Sequence, residues 1–241
     1  MIFIGMKKIL ITGASSGIGL AAAKVLHASG HELFLIARRA DKLQEIQAQL
    51  GERVHVHTVD VVNYESVKQM ANEAISKMGQ IDVLINNAGL GYFDPLVEGK
   101  IEEWHEMFDI NVKGLLNCLH TCLPHLIESK GHVINLGSLA SHYVFPNSGV
   151  YSATKHAVFA ISESIRTELP DKVRVTTISP GSVNTPFIDS TTNEKLLAEY
   201  KNYFAAGMSA EWIAETIRFA VEAPASAVVS EIITRPNRQV K

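Results

Sequence analysis

The chain has 241 residues, 46% apolar and 20% charged, with a formal net charge of −3. That suffices for one full core without a disulfide or metal staple, and the slight acidic excess argues against nucleic acid as a partner. No apolar run reaches the ~18 residues of a membrane span, and MIFIGMKKILITG lacks the basic lead of a signal peptide, so a cytoplasmic location is expected.

Short β-rich runs alternate with longer amphipathic stretches along the chain. Residues 1–5 read as an extension before a first strand, KKILIT (7–12). A helix follows from Gly17 to Ser29, then a strand HELFLIA (31–37) and a helix to Leu50 capped by Asp41. RVHVHTV (53–59) is a third strand, 63–77 a helix, and IDVLINN (81–87) a fourth strand. One long helix covers 102–127, with Pro124 bending or ending it. Its Cys118 and Cys122 are the chain's only cysteines and read as small helix-face residues, since their spacing suits neither a redox pair nor a zinc site. GHVINLGS (131–138) is a fifth strand, a helix runs from Tyr151 to Pro170, and KVRVTTIS (172–179) is a sixth strand. Residues 182–208 form a candidate substrate loop, mobile and loosely helical within 190–208. A helix from Ser209 to Glu222 and a strand AVVSEIIT (227–234) close the chain. This order predicts a single α/β domain over 1–241, a doubly wound parallel sheet of about seven strands with helices on both faces.

The first strand runs into TGASSGIG (12–19) and then into a helix. Gly13, Gly17 and Gly19 let backbone amides approach a diphosphate at the positive helix end, so the loop reads as a dinucleotide site. At the end of the second strand, where an acidic residue would favour a free ribose 2′-hydroxyl, stand Ala37, Arg38 and Arg39. Guanidinium groups suit a 2′-phosphate by charge and by forked geometry, with Ser15 and Ser16 as added hydroxyl donors. The expected cofactor is therefore NADP.

The G-x-x-x-G-x-G spacing resembles the short-chain dehydrogenase/reductase family, and the resemblance covers the chain from Lys7 onward. Its other motifs follow in order: Asp60, NNAG (86–89), Asn111, Ser138, Tyr151-x-x-x-Lys155 and PG (180–181). The resemblance implies a Rossmann-like fold and an Asn111–Ser138–Tyr151–Lys155 catalytic tetrad. It implies that Asp60 and Val61 hold an adenine, and that Asn87 and Gly89 line its ribose. Ile18, Pro180, Gly181, Val183 and Thr185 would complete the cofactor contacts, with Tyr151 and Lys155 at the nicotinamide ribose. Arginine at positions 38 and 39 is similar to the NADP-preferring members.

On a helix, Tyr151 and Lys155 share a face. A free phenol with a pKa near ~10 is a poor acid at neutral pH, and a fixed ammonium beside it is expected to lower that value. Ser138 follows a buried strand, which puts its hydroxyl at the ligand edge of the sheet. By resemblance, Ser138 holds a substrate oxygen that Tyr151 protonates, and the amide of Asn111 anchors a water linking Lys155 to solvent. Tyr143 lacks a lysine four residues on and reads as a pocket wall instead. The ten histidines form no hydrolase triad, and GSLAS (137–141) is no nucleophile elbow. No metal site is expected.

These parts imply hydride transfer between NADP(H) and a small to medium carbonyl or secondary alcohol. Expected substrate contacts are Ser138, Tyr143, Phe145, Tyr151 and Phe187, within mostly apolar walls that include His142, Val144, Leu90, Tyr92, Tyr200 and Phe204. The tail SEIITRPNRQ (230–239) is similar to members acting on 3-hydroxy acids, but no arginine lies within 182–208 to hold a carboxylate. Alternatives are a 3-oxoacyl thioester reductase of the same family and a non-catalytic NADP-sensing regulator. Leu115, Leu116, Leu119, Val158 and Ile161 suggest an apolar surface that a second copy would cover, giving a homodimer or homotetramer.

Overall fold

A computed structural model describes residues 5–239; residues 1–4 of the expected extension lie outside them. The elements are β1 (Lys8–Thr12), α1 (Gly17–Ala28), β2 (Glu32–Ala37), α2 (Ala40–Leu50), β3 (Val54–Thr58), α3 (Tyr64–Met78) and β4 (Val83–Asn86). Next come α4 (Ile101–Phe108), α5 (Leu115–Glu128), β5 (His132–Leu136), α6 (Gly149–Glu168) and β6 (Arg174–Pro180). The chain ends with β7 (Val183–Asn184), α7 (Glu194–Ala205), β8 (Met208–Ser209), α8 (Ala210–Glu222) and β9 (Glu231–Thr234). Seven strands form one parallel sheet in the order β3-β2-β1-β4-β5-β6-β9, and β7 and β8 pair separately. This is the expected single-domain, Rossmann-like α/β fold.

The central strands are continuous apolar runs because both faces of the sheet are covered. Leu10, Phe34, Ile36, Leu84, Val133 and Val175 pack with α3, α5 and α6 on one face. Ile9, Ile11, Leu33, Leu35, Val83, Ile85 and Ile134 pack with α1, α2 and α8 on the other. Cys118 and Cys122 are buried free thiols in the first of these layers.

Several boundaries differ from the sequence reading. Asp41 does not cap α2; Arg39 holds the cap position and Asp41 lies in the first turn. The single long helix is interrupted by a π-helical stretch, Asp109–Gly114, between α4 and α5. Composition carries no signal for that extra residue, which tertiary contacts impose. Pro124 does not end α5, which continues to Glu128 with Leu119, Cys122 and Leu126 fixed in the core. The helix carrying Tyr151 begins two residues earlier, at Gly149. Segment 182–208 is more ordered than a loop: Asn193 caps α7 by accepting from the Leu196 amide, and Leu196, Tyr200 and Phe204 share its inner face. Only residues 231–234 of the last run pair with the sheet. Of the five residues read as a pairing surface, Leu115, Leu119 and Val158 are interior, whereas Leu116 is exposed. Among the described residues, no helix is long and apolar enough to cross a membrane.

The order reverses between β1 and β4, and there the strand ends separate into a crevice. Buried Thr12 joins the two ends: its Oγ1 accepts from the amides of Asn87 at 2.9 Å and Ala88 at 2.8 Å. The Asn87 side chain donates back to the carbonyls of Thr12 at 2.9 Å and Gly13 at 3.2 Å. Thr12→Val keeps the shape but leaves two amides without an acceptor. It is expected to lower stability by about 3 kcal/mol, read as a shift in the urea midpoint with an unchanged m value.

Candidate active site

A cleft of about 920 Å³ opens at the carboxyl ends of β1, β4, β5 and β6. It brings together most of the residues singled out from sequence. Gly13, Ser15, Ser16, Gly17, Ile18, Arg38, Arg39, Asp60, Val61, Asn87 and Gly89 line it. So do Ser138, Phe145, Tyr151, Lys155, Pro180, Gly181, Val183, Thr185 and Phe187. Gly19, Asn111 and Tyr143 do not.

The glycine loop is shaped for a close backbone approach. Gly13 has φ +66°, and a Cβ there would lie 2.9 Å from the Ala88 Cα. Gly19 sits behind the loop, against the Gly13 carbonyl. The first turn of α1 carries no acidic residue, so its amide end stays positive. Arg39 donates through Nη2 to Ser15 Oγ and Ser16 Oγ, both at 2.8 Å, and through Nε to Ser15 Oγ at 3.2 Å. One guanidinium thus fixes two hydroxyls beside the loop. The Asp60 carboxylate accepts from the Val62 amide at 3.0 Å and shapes the turn after β3.

On the other side of the cleft, α6 presents Tyr151 and Lys155 one turn apart. Lys155 Nζ lies 5.9 Å from the Tyr151 ring centroid and donates to the Leu136 carbonyl at 2.8 Å. Ser138 caps the short turn Leu139–Ser141, its Oγ accepting from the Ala140 amide at 3.1 Å. Its side chain also acts on the Tyr151 phenol, favouring the ionised form. The electrostatics differ from the sequence expectation. Burial pushes the Tyr151 phenol up to about 12, with the Ser138 side chain opposing it. Burial also brings the Lys155 ammonium down to about 8. Desolvation disfavours the charged form of each group and is the largest cause of both shifts.

Asn111 also differs. Its Nδ2 donates to the Leu90 carbonyl at 2.8 Å and to Thr154 Oγ1 at 3.0 Å, and its Oδ1 accepts from the Leu90 amide at 2.9 Å. Both amide hydrogens are spent, so the side-chain amide has no donor left for a water. Asn111 instead pins the π-helical stretch to the segment after β4 and to α6.

Aromatic rings wall the region around Tyr151. The Phe93 centroid lies 5.5 Å from Tyr151, 5.5 Å from Tyr200, 6.1 Å from Phe187 and 6.4 Å from Phe204. Phe93 escaped the sequence reading, although it directly follows Tyr92, which was singled out. Glu106, Asn147 and Gln239 also line the cleft without having been identified. The Tyr92 hydroxyl donates to Glu106 at 2.6 Å. Tyr143 and Val144 are exposed and outside the lining, which corrects their reading as pocket walls. His142 is drawn away as well, pairing with Glu231 at 2.8 Å and Ser179 at 3.2 Å. Among the described residues, no cluster of histidine, cysteine or acidic groups is placed to hold a metal ion.

The sequence profile of the short chain dehydrogenase family matches residues 7–196. An uncharacterized oxidoreductase of Staphylococcus saprophyticus is 39% identical over 238 residues, covering 97% of each chain. The closed form of a serine dehydrogenase complexed with NADP⁺ superposes with a TM-score of 0.92 at 31% identity, over 97% of this chain and 96% of that one. An alcohol dehydrogenase from the archaeon Thermococcus sibiricus, complexed with 5-hydroxy-NADP, gives 0.88 at 34% identity, over 98% and 99%. Structures of the same fold at 25% identity carry NAD, NADH or NADP.

The burial of Tyr151 has a direct optical test. In the protein without added nucleotide, difference titration at 295 nm between native protein and Tyr151→Phe should show no Tyr151 phenolate below about pH 11, given the raised phenol pKa of about 12. Ionisation near neutrality would mean that the ammonium, not burial, dominates.

Proposed function

The chain belongs to the short chain dehydrogenase family, and from that premise we propose that it moves hydride between NADP(H) and an uncharged carbonyl compound or secondary alcohol of small to medium size. The observation that carries this reading is the meeting of Ser138, Tyr151 and Lys155 in the same cleft as the glycine loop. A nicotinamide cofactor, when bound, supplies or accepts the hydride. The Gly13 cradle, the open amide end of α1 and the Ser15–Ser16–Arg39 cluster fit its phosphates.

The chain's own groups handle the oxygen and its proton. Tyr151 gives its phenolic proton to the substrate oxygen in reduction and takes it back in oxidation. Ser138 donates to the same oxygen, where a fixed donor helps most as charge develops. Lys155 stabilises the phenolate that Tyr151 becomes. Because burial brings the ammonium near 8, its charge is sensitive to what else occupies the cleft.

Two features support the substrate class. Arg38, Arg39 and Lys155 are the only cations among the described residues lining the cleft. Arg39 is bonded at the glycine loop, Lys155 donates to a backbone carbonyl, and Arg38 stands beside Arg39 at the end of β2, on the side of the cleft read as the nucleotide site, so a substrate carboxylate at Tyr151 has no dedicated forked partner. The wall itself favours apolar substituents. Outward-facing Phe108 and Leu116 near the π-helical stretch, with Trp212 and Phe219 on α8, support a homo-oligomer.

The test is a panel of ketones, aldehydes and 3-hydroxy acids, followed by nicotinamide absorbance. Uncharged ketones or aldehydes should be reduced with NADPH, 3-hydroxy acids should be poor substrates, and Tyr151→Phe should bind NADPH yet lose turnover. Turnover retained by Tyr151→Phe removes the proton-transfer role. NADPH is expected to bind at least about tenfold more tightly than NADH, and Arg39→Ala or Arg38→Ala should cut NADPH affinity by about tenfold while changing NADH by less than about threefold. Fluorescence titration of both nucleotides checks this.

A further inference from the structure

The chain passes Thr234 at the end of β9 and folds back on itself, the Gln239 amide donating to the Pro236 carbonyl at 2.8 Å. This turn places two consecutive side chains against the two ends of one segment. The Gln239 Oε1 accepts from the amide of buried Ser182 at 3.0 Å. The Arg238 guanidinium donates to the Ala206 carbonyl. Between those points run Phe187, Tyr200 and Phe204, which wall the cleft beside Tyr151.

A glycine stands at each end of the segment, one facing the tail and one facing Ser182. A Cβ on Gly181 would lie 2.3 Å from Gln239 Oε1, so a side chain there would displace the Gln239 amide from its seat. A Cβ on Gly207 would lie 2.6 Å from the Ser182 carbonyl, which itself accepts from the Met208 amide at 2.9 Å. Ser182 therefore bonds to the tail through its N–H and to the far end of the segment through its C=O. The same residues, Gly181 and Ser182, line the cleft, as does Gln239.

We propose that Gln239 is a positioning residue: its carbonyl oxygen, held by the Ser182 amide, sets the seat of the 182–207 segment and hence of the aromatic wall over Tyr151. The kinetic part of this proposal rests on the carbonyl-reductase reading; the structural part does not. Phe187, Tyr200 and Phe204 all belong to the segment, so a loosened seat weakens capture of the carbonyl compound more than the chemical step. Arg238 secures the other end in the same way.

The experiment compares Gln239→Leu, which removes the acceptor, with Gln239→Glu, which keeps one. Lys195 and Lys201 are exposed within the segment and serve as trypsin reporters. Loss of one buried-amide acceptor is expected to speed cleavage at these lysines in Gln239→Leu by about fivefold to tenfold, with the thermal midpoint lowered by no more than about 4 °C. In the same variant KM for the carbonyl substrate should rise about tenfold while kcat changes less than about threefold. Gln239→Glu should stay near native in both measurements. Native-like proteolysis of Gln239→Leu overturns the proposal. Faster cleavage with an unchanged KM overturns the positioning role. A joint fall of kcat and, beyond that margin, of the thermal midpoint, or a Gln239→Glu that behaves like the leucine variant, overturns the acceptor argument. If the native protein reduces no carbonyl compound, the proposed function fails, whereas the trypsin measurement still decides whether Gln239 fastens the segment.

Discussion

A single hydroxyl, that of Thr12, accepts from two amides on the neighbouring strand exit and so joins the halves of the cleft. Parallel strands diverge where their order reverses, and divergence exposes main-chain donors that water must otherwise satisfy. The threonine and the Asn87 side chain close that gap reciprocally. The glycine loop hangs from one side of this joint, and the strand leading to Gly89 from the other. Gly89 in turn packs against Asn111 and faces Lys155, so the joint carries through to the Tyr151 helix.

The site is electrostatically costly in the form described. A phenol and an ammonium are both buried, and each is displaced toward its neutral form. The Leu136 carbonyl offsets part of the cost for Lys155, and the Tyr151 ring face lies within cation–π range of it. The chain holds these groups in register by geometry and leaves their charge states open to adjustment. Such perturbed pairs cluster where proton movement is needed.

Much of the sheet was legible because parallel strands covered on both faces read as unbroken apolar runs. β1, β2 and β4 are of that kind. The residues of the cleft were legible because their motifs recur at strand exits in a fixed order. What escaped detection depends on tertiary contacts with no local signature. The π-helical insertion has the composition of an ordinary helix. The side-chain bonds of Asn111 depend on Leu90 and Thr154, which no spacing relates. Tyr143 sits in the right stretch of chain, but pairing of the adjacent His142 with Glu231 belongs to an edge strand ninety residues away. Gln239 lies in the tail read only for its likeness to members acting on 3-hydroxy acids, and no local pattern announces the turn at Pro236 that returns it to Gly181.

The extra residue in Asp109–Gly114 constrains any change in length there. Each residue of an α-helix advances the azimuth by about 100°, so excising one from this stretch would swing the whole of α5 around its axis. Leu115, Cys118, Leu119 and Cys122 would rotate out of the interior together, and Asn117 would lose the carbonyls of Val61 and Val62. The stretch acts as a phase marker that fixes the angular setting of α5.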